Sequence, residues 1–539
     1  LDGENSDKKE MKNGIFLFAG FEKTHAFDNI FSSGKQSAFE LSLEWALGLE
    51  GESSFAVAVT PSSEEPVKSA LQKCGCQEKF NLVKKDKWNT QLLLEELALF
   101  ASRTASSCVV FAFGDCPFLN KALTRQVLES HKKYLAEYSF ADGWPLGFAP
   151  EVIDCGALNI LNGIAKSGTC AAAELPVTKE SIFGVIKTDI NSFEIETVMA
   201  PKDYRMYRFD FSCSTKANTL SCLELCKMES LDDAEALSDA AVKSAGVQQT
   251  VPAFYNIQIS CPEKILTVYN PYSKKPLESK GMDFENFCKL ASAIEEFSEQ
   301  AVVGLGTFAD PLLNAEFGKY AEEILLHKGL SLLIETDALN VLEDSVMQQV
   351  KKLADSEPSR VTWIVSIDAF SQEVYNSIHG FGAEQSAFAK ATRAVQVLSQ
   401  LFPGNVWPQF TRMNANECEL ESFYRYWHDK ASPSGGNVII QKFDHACLFF
   451  SDERPADLSP LLRNPCWHLK RDMTVLGNGD VPLCRENEPF ADEPLIVGNV
   501  FADGIEAVWN KFKPYLNEHI EKKYCGKCGK CDEYYTFNF

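Results

Sequence analysis

Leu330-Ser-Leu-Leu-Ile-Glu335, the helical pattern from Leu342 to Leu353, and Arg360-Val-Thr-Trp-Ile-Val-Ser-Ile367 form one strand–helix–strand period that decides the fold. The period repeats in both directions. Upstream lie strand Phe254 to Ser260, helix Phe284 to Phe297, strand Ala301 to Leu305 and helix Ala315 to His327. Downstream lie helix Ser386 to Leu401, strand Val406 to Thr411, helix Glu417 to His428 and strand Asn437 to Lys442. Such a series predicts a full or partial α/β barrel of parallel strands. Its site would form just past the strands, from Asp310, Thr336-Asp337, Asp368, Arg412 and Lys442 to His445. Acid–base work and binding of a small anion or peptide are both open there. So is a bland reading, in which these groups satisfy helix ends and one another.

Beyond Pro465 the chemistry changes. Cys466-Trp467-His468-Leu469 leads through Gly477-Asn478-Gly479-Asp480 to Cys484, and Cys525, Cys528 and Cys531 close the chain in the run CGKCGKCDEYYTFNF. Two separated thiols followed by tightly spaced ones fit metal ligands brought together by folding. Thiolates suit an iron–sulfur cluster or zinc. The chain has 18 cysteines, and most stand alone in apolar surroundings. Cys108 before Val-Val-Phe and Cys447 before Leu-Phe-Phe read as small buried hydrophobes. Cys222 and Cys226 can share a helix face, where packing comes before metal binding.

The first two hundred residues alternate differently. Ile15-Phe-Leu-Phe-Ala-Gly20, Phe55 to Thr60 and Cys108 to Phe113 read as buried parallel strands, with helices from Ser37 to Leu49 and Trp88 to Ala101 between them. This is a three-layer α/β pattern whose ligand site would lie at the carboxyl ends of the strands. Gly20 and Asp115 stand at such ends. Asp115 reads either as a metal holder for a nucleotide phosphate or as the cap of a helix beginning near Phe118. Residues 176–250 are less legible: Asp189 to Thr197 and Pro201 to Arg208 fit edge strands or docking segments, and Leu231 to Ala245 a helix.

A length of 539 residues exceeds one core. The expected division is an α/β domain over 12–200, a connecting segment over 201–250, the barrel over 251–460 and a small cysteine-rich domain over 461–539. The net charge of -23 argues against nonspecific binding to a nucleic-acid backbone and against acidic membranes. Apolar runs break after about eight residues, so no membrane span is expected. The opening LDGENSDKKE is polar, lacks a signal-peptide pattern and reads as a tail before a start at Met11. Cytoplasm, a reducing compartment for thiolate ligands, is the expected location.

The barrel segments resemble the radical S-adenosylmethionine enzymes. Ile364-Val-Ser-Ile-Asp-Ala looks like that family's strand ending in Ser-x-Asp-Ala, and Glu335-Thr336-Asp337 like its Thr-Asn-Gly turn. Thr307-Phe308-Ala309-Asp310-Pro311 looks like its Gly-Glu-Pro loop, which implies Asp310 at the position that holds the cofactor's methionyl amine. The departure is decisive. That family carries Cys-x3-Cys-x2-Cys after its first strand, whereas here Glu263, Thr267 and Asn270 fall at the three positions, or Cys261 alone in another register. One thiol, or a Glu/Thr/Asn set, does not replace three thiolates. No cluster in the barrel and no reductive cleavage of S-adenosylmethionine are expected.

The tail resembles the SPASM domain, the auxiliary iron–sulfur module of many peptide-modifying radical enzymes. Cys466-x12-Gly479-x4-Cys484 fits its opening, Asp472 to Cys484 its β-hairpin, and Leu495 to Asn510 its covering strand–turn–helix. The resemblance implies one [4Fe–4S] cluster on Cys466, Cys484, Cys528 and Cys531, with Cys525 and Cys528 an alternative grouping and zinc an alternative metal. Residues 12–175 resemble the nucleotidyltransferases that activate sugars, whose Ala-Gly-x-Gly-x-Arg loop becomes Ala19-Gly20-Phe21-Glu22-Lys23-Thr24 here. Glu22 would repel phosphate, and Thr24 lacks the arginine's paired donors. Asp115 matches the family's metal-binding Asp, and Lys35 stands where a helpful lysine stands, or is an exposed helix-start lysine. The combination resembles the spirochaete SPASM proteins. It implies an iron–sulfur protein that binds a ligand or a protein partner or transfers electrons. A nucleotidyltransferase and a scaffold with a purely structural metal site are the alternatives, and catalysis is left open.

Overall fold

The computed structural model describes residues 12–49, 53–168, 170–228, 233–260, 267–270, 280–306, 309–383, 386–456, 460, 462–485 and 495–533. The chain divides into two compact units, Leu1–Gln248 and Gln249–Phe539.

The first unit is built around Asn13–Phe18 (β1), all six residues of which are buried. Short apolar runs with no polar alternation suit a strand covered on both faces, and β1 pairs in parallel with Ser53–Val59 (β2) and Cys108–Phe113 (β4). Phe80–Lys84 (β3) extends the sheet beyond β2. Tyr138–Asp142 (β5), Glu151–Asp154 (β6) and Ile195–Met199 (β7) complete the order β3-β2-β1-β4-β6-β5-β7. β6 runs antiparallel to both β4 and β5. The link from β5 to β6 is too short for the crossover that a parallel return requires. The helix Ala38–Leu47 starts at a capping box, with Ser37 and Glu40 each satisfying the other's backbone N–H. Of the segments expected at an edge, Ile195–Met199 is the edge strand, whereas Arg205–Tyr207 is a short 3-10 turn.

The second unit holds a seven-stranded sheet in the order β13-β12-β11-β10-β9-β8-β14. β8 is Phe254–Ile257, β9 Ala301–Leu305, β10 Leu330–Thr336, β11 Val361–Ser366, β12 Val406–Arg412 and β13 Ile439–Lys442. All pairs are parallel. Among the described residues β13 and β14 are the outer strands, so the barrel is partial. Between β11 and β12 the chain forms two helices, Gln372–His379 and Ala387–Leu401. The first was not foreseen, although Ser371 at its start and left-handed Gly380 at its end are ordinary cap residues.

β14 is Asp472–Val475, contributed by the cysteine-rich tail, and it pairs with β8 from Asp472 opposite Phe254 to Val475 opposite Ile257. The expected hairpin over Asp472 to Cys484 is therefore corrected. The turn exists, with Gly479 at φ +88° and Leu476 N–H donating to Asp480 O at 2.9 Å. Its two arms pair elsewhere, because Asp472–Val475 is buried throughout and belongs to the parallel sheet. Asp480–Pro482 (β15) pairs antiparallel with Ile496–Asn499 (β16).

Candidate metal centre

Cys466 stands at the start of the short helix Trp467–Arg471, and its backbone N–H donates to His519 Nδ1 at 3.3 Å. Burial, helped by nearby Arg463, pulls the His519 pKa down to about 4. The ring is therefore neutral and keeps the lone pair that accepts this bond. Cys484 follows β15. Cys528 lies in the 3-10 turn Gly526–Lys530, and Cys531 ends that turn, its N–H reaching Cys528 O at 3.4 Å. Glu533 N–H donates to Cys531 Sγ at 3.3 Å, an arrangement that stabilises sulfur carrying negative charge.

These four thiols line one cavity with Leu469, Leu483, His468, His519, Arg463 and Lys527. A fifth thiol, Cys447, lines it as well. The expectation for Cys447 as an inert apolar filler is corrected: it arrives from the turn after β13 and lines the same cavity as Cys531. Cys525 is exposed and does not line the cavity. The donor set fits a thiolate-bound metal. Soft sulfurs converge, and the cations Arg463 and Lys527 offset their charge. Arg463 is fixed by donating to Cys528 O at 2.6 Å and by stacking 3.9 Å above the Tyr524 ring. Burial pushes the Cys466 thiol up to about 12 and raises Cys528 also. Metal loading displaces protons from these half-buried thiols.

A second cavity, of about 40 Å³, lies inside the partial barrel. Phe254, Asn256, Leu333, Glu335, Ile364, Gln409 and Ile439 from the strands line it, and His468, Arg471, Asp472 and Arg485 from the tail close it. Burial would raise the Asp472 carboxyl, but Arg471 and His468 beside it hold it below the ordinary range. Glu335 differs. Its pKa is raised by burial against the opposing charge of Arg485, and its carboxylate accepts no hydrogen bond from any described residue. His468 borders both cavities.

The strand-end residues are largely engaged with one another. Asp310 accepts from Leu312 N–H at 2.9 Å, Thr336 Oγ1 at 2.7 Å and Asp337 N–H at 3.1 Å, and burial followed by the charge of Asp337 raises its pKa well above normal. Asp368, fully buried at φ +58°, is held by Tyr269 Oη at 2.7 Å and Thr411 N–H at 2.6 Å, with His379 Nε2 3.2 Å away. Arg412 makes a two-point pair with Glu417. Lys442 reaches Asp532 at 2.9 Å and also Glu533. Asp444, His445 and Asp532 bring ligand atoms within 4.8 Å of one another, a spacing that could hold a cation. Lys442 and Arg454, the latter 2.8 Å from Asp532, already supply positive charge there. Nothing in the sequence linked Asp532 and Glu533 to the barrel. Cys261, Glu263, Thr307 and Phe308 lie outside the described residues, whereas Thr267 and Asn270 lie within them.

In the first unit, Asp115 does not cap a helix, since Asn120 caps Lys121–Tyr134. It is 1% exposed and pairs with Lys179 Nζ at 2.5 Å. Lys179 also reaches Cys116 Sγ at 3.3 Å and sits 4.5 Å from the Phe113 ring centre. Burial opposes its ammonium, but Cys116, Asp115 and Asp210 carry its pKa above normal. A side chain on Gly20 would come 2.5 Å from Trp88 Cδ1, so glycine there serves close packing of that ring. Lys35 is exposed in a turn closed by Phe31 and Gln36 rather than at a helix start.

Residues 466–532 match SPASM, the iron-sulfur cluster-binding domain. A Treponema pallidum (strain Nichols) protein described as uncharacterized is 39% identical over 366 residues, which take in 66% of this chain and 98% of that one. The chain belongs to the family of that spirochaete protein. Among solved structures, a cytidylyltransferase from Leptospira borgpetersenii is similar at 15% identity and a TM-score of 0.37, over 45% of this chain and 99% of its own. BtrN in complex with AdoMet and 2-DOIA is similar at 15% identity and a TM-score of 0.34, over 53% of this chain and 93% of its own.

Proposed function

We propose that this is an iron–sulfur protein with one closed [4Fe–4S] cluster in its tail, held by Cys466, Cys484, Cys528 and Cys531, and with a barrel that binds a ligand instead of running radical chemistry. The convergence of these four thiols on one cavity carries the reading. When bound, such a cluster supplies one-electron transfer or structural stiffness. Arg463 and Lys527 balance its charge, and neutral His519 orients Cys466. The cavity of about 40 Å³ inside the barrel has room for roughly three waters or a few heavy atoms. Glu335 and Gln409, whose side chains hydrogen-bond no described residue, favour a small polar occupant there. With Glu263, Thr267 and Asn270 at the expected cysteine positions, S-adenosylmethionine cleavage is not part of the proposal.

A nucleotidyl-transfer reading is not favoured, because Lys179 already neutralises Asp115. The test is a potentiometric titration of anaerobically prepared full-length protein followed by electron paramagnetic resonance. The proposal expects a reversible one-electron signal in the wild type and none in Cys466→Ser. A wild type that stays silent on reduction refutes electron transfer. A cluster whose removal merely unfolds the tail assigns it a structural role.

A further inference from the structure

The thiol-lined cavity contains one sulfur more than a closed four-cysteine cluster takes. The extra one, Cys447, is not delivered casually. Ala446, Cys447 and Leu448 all have left-handed backbone, at φ +48°, +54° and +71°. Three successive non-glycine residues in that region require a surrounding structure that enforces them. Here it does: Asp444 Oδ1 accepts from Ala446 N–H at 2.8 Å, His445 Nδ1 accepts from Leu448 N–H at 3.0 Å, and His445 O accepts from Phe450 N–H at 3.1 Å. The turn leaves Leu448 58% exposed while Cys447 lines the cavity. Apolar burial alone would have chosen the leucine.

The segments on either side of that turn hold the residue after Cys531. His445 Nε2 lies 3.3 Å from Asp532 Oδ1, and Lys442 and Arg454 hold the other oxygen at 2.9 and 2.8 Å. Cys447 and Cys531 thus line one cavity from two segments that are tied together beside it.

We propose that Cys447 is a reserve ligand of the tail metal centre, placed to bind the iron that Cys531 releases. The inference rests on the cavity holding an iron–sulfur cluster. In the exchange the iron–sulfur bond to Cys531 breaks and one to Cys447 forms. Cys447 gives up its proton, Cys531 takes one, and no electron moves. The centre thereby survives loss of one terminal ligand.

Iron and acid-labile sulfide, with electron paramagnetic resonance of the reduced protein, are measured on full-length wild type, Cys447→Ser, Cys531→Ser and the double variant, all prepared anaerobically. The expected results are wild-type-like iron in Cys447→Ser and at least about three quarters of it in Cys531→Ser, the latter with altered g-values. The double variant retains less than about a quarter. Cys531→Ser that folds by circular dichroism but holds no iron overturns the proposal, as does a double variant that holds as much iron as Cys531→Ser. Should Cys531→Ser fail to fold, Cys531→Ala takes its place. Iodoacetamide labelling read by mass spectrometry adds an independent check: Cys447 is modified in the loaded wild type and protected in the loaded Cys531 variant, and equal labelling in both overturns the proposal. A wild type without iron defeats the cluster reading itself, which sets that failure apart from the others.

Discussion

Replacing Lys179 with methionine isolates the buried charge pair of the first unit. The substitution keeps most of the stem's packing and removes the ammonium that stands 2.5 Å from Asp115 Oδ1. Asp115 is 1% exposed in its side chain and Lys179 18%. Breaking a buried pair from one side typically costs about 3–5 kcal/mol, because the remaining charge is left desolvated. Partial exposure of Lys179 places this case near the lower end, at about 3 kcal/mol. In urea, with a slope of about 2 kcal/mol per molar, the unfolding midpoint should fall by about 1.5 M. Combining it with Asp115→Asn should recover part of that loss, since the nearest carboxylate is then neutral and only Asp210 is left without the ammonium. Far-UV circular dichroism of the full chain in urea reads both. A single variant that loses less than about 1 kcal/mol, or a double variant no better than the single, would refute the view that Lys179 serves chiefly to neutralise Asp115.

Glu151 gives a pH signature: burial raises its carboxyl from 4.5 to about 8, against the Tyr138 hydroxyl. Between those values the folded state keeps a proton that the unfolded state has released, so stability falls as pH rises through that window. Glu151→Gln should therefore match wild type at pH 4.5 and exceed it at pH 7 by at most about 3 kcal/mol; equal pH slopes in the two proteins would contradict this. Arg463→Met removes the donor to Cys528 O and should speed iron loss to a chelator about tenfold, with unchanged kinetics the opposing result. With Asp115 paired to Lys179, magnesium and a nucleoside triphosphate should release no pyrophosphate; release abolished by Asp115→Ala would restore nucleotidyl transfer.

Periodicity made the barrel legible because each strand of the second unit is a short apolar run bounded by turn residues. What periodicity could not supply is the partner of each strand. Asp472–Val475 looks like half of a hairpin because Asn478-Gly479 turns the chain, yet its edge is completed by Phe254–Ile257, more than two hundred residues away. The metal site divides the same way. Cys466, Cys484, Cys528 and Cys531 announce themselves by spacing, and the structure brings them to one cavity. Cys447 carries no spacing signal, sits beside Leu-Phe-Phe, and reaches the site only through a left-handed turn. Lys179 was equally hidden, since its link to Asp115 spans 64 residues. Asp532-Glu533 was hidden in the same way: Lys527 and Lys530 stand beside it in the chain, yet the cations that meet these acids come from Lys442 and Arg454.

Iron and acid-labile sulfide per chain, measured on anaerobically purified full-length protein, test the central claim most directly. The account predicts about four of each, bound by the tail. About eight irons would contradict a barrel without a cluster, and one zinc with no sulfide would contradict the cluster itself.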